Sequence, residues 1–178
     1  MKYAKDLMMA QAKLGHSVVA LYPGGTSLLH KRCYVHEEKA LEGIAVYEMS
    51  NPLPVPLMYG IKDVESEMPS DRLDIASIQR MLDRVKPDVF HVHTLMGLPL
   101  EYLKIIHDRH IRIVYTSHDY FGLCPKVNFI NRQGDVCQGA SCERCEACNT
   151  DAKSASFLKL RNAKWVVPLK KIARRMKR

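Results

Sequence analysis

Apolar side chains recur along the chain in two patterns, one with helical spacing and one in short continuous runs. In residues 2–14 they recur at intervals of four, three and four positions, and Gly15 follows where a helix would end. Residues 71–85 carry a similar apolar face and stop at Lys86-Pro87. The spacing therefore predicts helices over residues 2–14, 71–85 and 98–110.

Short apolar runs between these helices predict β-strands. The clearest are 17–22, 88–93 and 111–117, with weaker candidates at 31–36 and 43–49, whereas the four prolines of 51–69 indicate an extended loop. The alternation of strand and helix predicts an α/β fold that is Rossmann-like, with a mostly parallel sheet and helices on both faces. Such sheets bind ligands beyond the carboxyl ends of their strands, which here are followed by His93-Thr94 and Ser117-His118-Asp119.

Length and charge narrow the class of protein. The 178 residues suffice for one ordinary domain, and 47% apolar with 26% charged residues is a globular composition. Ten of the 27 Lys and Arg residues, and none of the 19 Asp and Glu residues, fall in 152–178, which leaves 17 basic and 19 acidic side chains before them. A nearly neutral body argues against a nucleic-acid-binding domain. No apolar run is long enough to span a membrane and no signal peptide opens the chain, so we expect a cytoplasmic protein.

Five of the six cysteines cluster within 25 residues. In a cytosolic chain such clustering is more typical of metal binding than of a disulfide framework. The series Cys142-x2-Cys145-x2-Cys148 contains zinc-binding pairs, and Cys124 and Cys137 can complete four thiolates, which predicts a structural zinc site. An iron–sulfur cluster and ordinary free thiols are the alternatives.

The basic C-terminal segment has an apolar stripe of its own. Trp165, Leu169, Ile172 and Met176 recur at intervals of four, three and four, and most Lys and Arg side chains fall on the opposite side. This pattern predicts a basic amphipathic helix. Two roles fit it: peripheral binding to an anionic membrane surface, or packing of the Trp stripe on the sheet.

Three histidines and one glycine-rich turn are candidates for chemistry. His118 follows a strand end, where an imidazole can hydrogen-bond a substrate; alternatively it bonds a backbone carbonyl and Asp119 caps the next turn. His91 and His93 face one side of a strand, and packing or lining a cleft fits them better than metal ligation, because no carboxylate is near in sequence. Pro23-Gly24-Gly25 lacks the spacing of a phosphate-binding loop and predicts a turn.

Four segments, taken in order, resemble the N-terminal domain of family 4 glycosyltransferases, which are enzymes of the GT-B fold. They are residues 13–18, 86–93, 114–120 and a cysteine-bearing stretch that starts at Cys124-Pro125 and runs through Gly134-Asp135-Val136-Cys137 to a close Cys pair. The resemblance implies that His118 lines the catalytic pocket and that His93 and Asp119 contact substrate. The family's cysteine spacing favours one zinc ligand set and leaves Cys148 over: Cys124, Cys137, Cys142 and Cys145.

The resemblance also implies what the chain does. Family members begin with a strand and a glycine-rich loop before the first helix, and they hold the nucleotide sugar in a second Rossmann-like domain. We therefore expect half of a GT-B fold, with a Rossmann-like domain in 1–150 that includes a Cys-rich insert at 119–150, and a basic helical tail at 151–178. This is the acceptor-binding half of a retaining, nucleotide-sugar-dependent hexosyltransferase of glycan, polysaccharide or glycolipid synthesis, inactive by itself and metal-independent in catalysis.

The resembled enzymes commonly act on sugar or lipid-linked acceptors, some at the inner leaflet of the membrane. The competing hypothesis is a zinc-stabilised binding module that uses the basic tail. We expect no nucleic acid as its partner, because Trp165 is the single aromatic residue among the basic side chains of residues 159–178.

Overall fold

The computed structural model of the chain describes residues 2–27, 30–56, 59–62 and 72–166. The predicted helices and strands are present in these ranges, with ends that differ by a few residues. In chain order the elements are α1 (Lys2–Lys13), β1 (Val19–Pro23), β2 (Tyr34–Leu41), β3 (Ile44–Ser50), α2 (Ile75–Val85), β4 (Val89–Val92), α3 (Leu100–Asp108), β5 (Arg112–Tyr115), α4 (Cys142–Cys148) and α5 (Ala155–Arg161).

The strands form two sheets where the sequence predicts one. In the first sheet β3 lies between β1, its parallel partner, and β2, its antiparallel partner. In the second sheet β4 and β5 pair in parallel. The mixed α/β architecture with parallel strand pairs and flanking helices is the predicted fold class, consistent with a Rossmann-like half of a GT-B fold.

The antiparallel pair in the first sheet arises at a two-residue turn. Glu42 and Gly43 connect β2 to β3, and both have positive φ angles, of 52° and 84°. A turn with two positive φ angles matches the right-handed twist of the flanking strands and so closes a hairpin. Glutamate is not a residue that signals such a turn, so the sequence pattern predicts the two strands without their pairing.

One hydrophobic core includes both sheets together with α2 and α3. Ile78 and Leu82, on the predicted apolar face of α2, are 0% and 2% exposed, and Tyr102 and Ile106 of α3 are both fully buried. Val92 of β4 belongs to the same cluster. Burying a large apolar side chain stabilises a fold by roughly 1.5–3 kcal/mol, so this core holds β4 and the residues that follow it in place.

Residues after the cysteine cluster pack on the same body. Leu158 of α5 is fully buried and forms a small second core with Ala155 and Ile61. Backbone bridges join Ile61 to Lys153 and Thr26 to Ala163. Residues 152–164 are therefore part of the packed structure.

The predicted amphipathic helix of the tail lies largely outside the described residues, which end at Val166. Within the part of the chain that the structure describes, no helix is both long enough and apolar enough to cross a lipid bilayer.

Candidate active site

The carboxyl ends of β4 and β5 lie side by side, and a histidine follows each strand. The parallel register places Val92 beside Tyr115. The Thr116 N–H donates to the Val92 carbonyl at 3.0 Å, which extends the pairing past the end of β5. His93 and His118 therefore follow their strands at neighbouring points on the same edge of the sheet.

His93 and His118 are in direct contact. His93 Nδ1 and His118 Nε2 are 3.1 Å apart, and the two rings lie nearly parallel, with centroids separated by 5.4 Å and planes inclined by 19°. A hydrogen bond between two neutral imidazoles needs an N–H on one ring and a lone pair on the other. When His118 Nε2 donates, its Nδ1 is an acceptor, and when His118 Nε2 accepts, its Nδ1 is a donor. The pair can thus offer either function to a substrate hydroxyl.

His91 supports this pair from within the strand. Its ring lies 4.1 Å from the ring of His93, as expected for two residues on one side of a strand. Its Nε2 is 2.8 Å from the Thr116 hydroxyl oxygen, a hydrogen bond that joins β4 to the residue after β5. This pairing gives His91 a structural role that fits the packing hypothesis.

The surroundings of His93 favour its neutral form. Partial burial lowers the pKa of His93, and the positive charge that His91 or His118 would carry lowers it further. Both causes act against the imidazolium, since burial penalises charge and like charges repel. A neutral His93 can give or receive the hydrogen bond with His118, whereas an imidazolium could only give it.

Asp119 caps the turn after β5. One carboxylate oxygen accepts the Phe121 N–H at 2.9 Å, and the Asp119 carbonyl accepts the Ser117 hydroxyl at 2.7 Å. This is the turn-capping alternative described for Asp119 from the sequence. The hydrogen bonds orient the backbone at His118, and substrate contact by Asp119 stays a prediction.

Tyr3 is a member of this site that the sequence does not predict. Its ring lies 5.0 Å from the ring of His118 and 6.0 Å from that of His93. Tyr3 is half exposed on the first turn of α1, where helical spacing indicates only that it belongs to an apolar face. Its position depends on how α1 packs beside the strand ends, which helical spacing does not reveal.

The profile of Glycosyltransferase Family 4 matches residues 2–135, which is most of the chain. The chain belongs to this family. The match confirms the resemblance of the ordered segments, and it supports a glycosyltransferase-type function with a nucleotide-sugar donor and a sugar or lipid-linked acceptor. No curated protein and no solved structure matched the chain. The histidine site lies inside the matched range, whereas Cys137 and the cysteines of α4 lie beyond it.

The cysteine insert surrounds a cavity of about 320 Å³. Three of the four predicted zinc ligands line this cavity, namely Cys124, Cys137 and Cys145. Cys148, which the prediction leaves out, lines it as well. Cys142 is exposed and does not line the cavity. All six cysteines are free thiols, and thiolates on one cavity wall are donors that suit zinc.

Among the described residues, the closest grouping of potential metal-binding atoms lies outside the cysteine insert. The donor atoms of His36, Glu38 and Glu48 all lie within 4.8 Å of one another. In the described ranges no three cysteine sulfurs meet that limit. The cysteine sulfurs would therefore have to move inward to bind one ion.

Protein groups already neutralise and hydrogen-bond the Glu48 carboxylate, so its burial needs no metal ion. Glu48 is 6% exposed, and Lys164 Nζ lies 2.7 Å from Oε1. Oε1 also accepts the Gly25 N–H and the Ser50 hydroxyl, while Oε2 accepts the Tyr22 hydroxyl. Burial would raise the pKa of Glu48, but the hydrogen bond and charge of Lys164, with the bonds from Gly25 and Ser50, together lower it. The glycine-rich segment thus gives an N–H to a carboxylate of its own chain, in keeping with the turn predicted there.

Proposed function

We propose that this chain is the acceptor-binding half of a retaining, nucleotide-sugar-dependent glycosyltransferase of glycan, polysaccharide or glycolipid synthesis. The observation that carries the proposal is the His93–His118 pair, which lies at the carboxyl ends of two parallel strands inside the family match. Ligands of open α/β sheets bind at such an edge. His118 is the exposed member of the pair, so it is the one that meets substrate.

The chemistry of sugar transfer determines what this half of the enzyme must supply. The acceptor hydroxyl oxygen forms a bond to the anomeric carbon while the bond from that carbon to the diphosphate breaks, and the hydroxyl proton passes to the departing diphosphate. Hydrogen bonds that strengthen as charge develops accelerate such a step. His118 supplies one to a hydroxyl of the sugar or acceptor through Nδ1, and the bond between its Nε2 and His93 orients the ring.

The proposal also gives a role to the cysteine insert and to the basic tail. The cysteine insert stabilises the loop after His118 and takes no part in the transfer. The acceptor is a sugar or a lipid-linked sugar, and the basic residues of the tail contact the anionic surface of the inner leaflet. The isolated chain binds nucleotide sugars poorly and does not turn over, because in GT-B enzymes the donor is held chiefly by the second domain.

Two measurements test the proposal. Calorimetry of the isolated chain with a panel of UDP- and GDP-sugars should show no binding in the micromolar range. The chain should then be fused to the nucleotide-sugar-binding half of a family 4 enzyme and assayed for transfer to simple and lipid-linked acceptors. We expect the transferred sugar to keep its anomeric configuration. We also expect the transfer to depend on His118.

The results that would contradict the proposal are distinct. A micromolar dissociation constant for the isolated chain would show that it binds the donor alone. Sugar transfer unaffected by His118→Ala would remove the site from the mechanism. A chain that only binds anionic surfaces, with no transfer in any fusion, would favour the zinc-stabilised binding module.

A further inference from the structure

The cysteine insert consists of three short structures, each held by its own backbone hydrogen bonds. The first is a turn in which the Cys124 N–H donates to the Tyr120 carbonyl at 2.8 Å. The second is a small hairpin in which the Cys137 N–H donates to the Phe129 carbonyl at 2.8 Å. The third is α4. These structures meet around the cavity of about 320 Å³ described above, and each brings cysteine to its wall.

Helix α4 decides which of its cysteines face the cavity. Cys142, Cys145 and Cys148 lie three residues apart, so neighbouring members are about 60° apart around the helix and the outer two about 120° apart. The cavity is lined by Cys145 and Cys148, while Cys142 is exposed on the first turn. Cys145 and Cys148 form the Cys-x2-Cys pair whose spacing suits one zinc ion.

We propose that Cys124, Cys137, Cys145 and Cys148 bind one zinc ion, and that Cys142 is the thiol left over. This ligand set replaces the one that family spacing favours, with Cys148 in place of Cys142. Binding is proton-balanced: four thiols release four protons, and four Zn–S bonds form without oxidation or reduction. The product is a tetrahedral site with a net charge of minus two.

The charges on the cavity wall suit that product. Lys126, Arg132 and Arg144 line the cavity beside the four cysteines. Neighbouring cations favour the thiolate over the thiol, and they offset the negative charge of a four-thiolate zinc site. Arg132 also pairs with Asp151 at 3.6 Å, a residue that lies outside the cavity lining.

Two features of the insert leave a stabilising role for a bound ion. Two thiols make only weak contacts with carbonyl oxygens, from Cys137 to Gly139 at 3.3 Å and from Cys148 to Ile130 at 3.9 Å. The backbone between the first two cysteines also holds Val127 and Phe129 at positive φ angles of 69° and 57°. Such a conformation is costly for a β-branched residue and persists only where other interactions enforce it. A zinc ion that draws the three structures together supplies that enforcement.

Elemental analysis of the full chain, purified under reducing conditions without chelator, tests the proposal. We expect about one zinc per chain. Cys142→Ser should retain that zinc, whereas Cys148→Ser should lose most of it. The two substitutions are matched in chemistry and lie on the same helix. Zinc kept by Cys148→Ser and lost by Cys142→Ser would overturn the ligand set, and an unsubstituted chain without zinc would overturn the site.

A second measurement needs no substitution and remains informative if a variant fails to fold. The zinc-bound chain is treated briefly with iodoacetamide, and labelled cysteines are identified by mass spectrometry before and after zinc is removed with EDTA. We expect Cys142 alone in the insert to be labelled at first, and the other four insert cysteines to be labelled only after EDTA. Early labelling of Cys148 together with protection of Cys142 would contradict the proposal.

Discussion

The three histidines of the site differ in what their rings are bonded to, and this difference assigns them different roles. His91 Nε2 is engaged by the Thr116 hydroxyl, and His93 Nδ1 is engaged by His118. His118 is the exposed member of the group, and in the proposed function its second ring nitrogen meets the substrate. Function should therefore depend most on His118 and stability most on His91.

Substitution of His118 should lower turnover and leave stability nearly unchanged. In the fused enzyme, His118→Ala should reduce the transfer rate by about a hundredfold, the usual scale for a positioned polar or acid–base group. The free energy of unfolding should change little, because the side chain is exposed beyond the strand end. Transfer assays and thermal denaturation measure the two effects. More than half the activity with an early melting transition would make His118 structural.

His91→Ala is the matched substitution and should behave in the opposite way. It leaves the Thr116 hydroxyl without its partner and removes a ring packed on His93, so we expect a loss of about 1–3 kcal/mol of stability. Turnover per folded molecule should be largely kept, because His91 does not reach the substrate edge. A hundredfold loss of turnover without a change in the melting temperature would contradict this assignment.

Protonation of His93 should couple stability to pH. Its pKa in the folded chain lies below the ordinary value of 6.5, so the unfolded chain takes up its proton first as pH falls. The contribution of His93 to stability is therefore complete above pH 6.5 and is lost as pH falls through the folded pKa. Denaturant unfolding between neutral and mildly acidic pH should show this loss. His93→Gln should flatten the pH dependence, and an unchanged slope would contradict the lowered pKa.

Secondary-structure elements in this chain are connected by a few buried polar contacts as well as by the core. Glu48 on β3 is the clearest example, because its carboxylate accepts hydrogen bonds from Tyr22 on the neighbouring strand β1, from Gly25 in the turn after β1 and from Lys164. Through its contact with Lys164, Glu48 connects the segment after α5 to the first sheet. An isosteric amide cannot accept all of these bonds or pair with the lysine charge.

Glu48→Gln should destabilise the chain by about 2 kcal/mol, the scale of losing hydrogen bonds to a buried charged group. Glu146→Gln on the exposed face of α4 is the control and should change stability by less than about 0.5 kcal/mol. Urea denaturation measures both. Equal effects of the two substitutions would show that the Glu48 contacts do not hold the segment in place.

Sequence periodicity predicts the elements of this fold better than it predicts their pairing. The apolar faces of α2 and α3 follow from residue spacing alone, since a helix presents every third or fourth residue to the core. The hairpin of β2 and β3 depends instead on Glu42 adopting a positive φ angle, which its residue type does not announce. The contact of Tyr3 with His118 depends on tertiary packing and has no signal in the chain.

At the scale of the whole molecule, the packed body extends beyond the family match. The match ends at residue 135, yet residues 152–164 are joined to the body by α5, two backbone bridges and Lys164. The sequence predicts a separate tail from residue 151 because its charge changes abruptly there. The charged side chains of this segment indicate only which surface faces solvent. The few apolar side chains of α5 determine how the helix packs against the rest of the chain.

Two leucines on α5 provide the test of this attachment. Leu158 is fully buried against Ala155 and Ile61, and Leu160 is 53% exposed. Leu158→Ala should therefore cost about 2–5 kcal/mol, the range for a buried leucine that leaves a cavity, while Leu160→Ala should cost less than about 0.5 kcal/mol. Both substitutions keep helix propensity, so a difference in urea denaturation reports packing alone. A single unfolding transition that shifts as a unit with Leu158→Ala would show that α5 folds with the rest of the chain. If the transition instead stayed in place, residues 152–164 would be a separate appendage and the basic tail would begin where the charge changes.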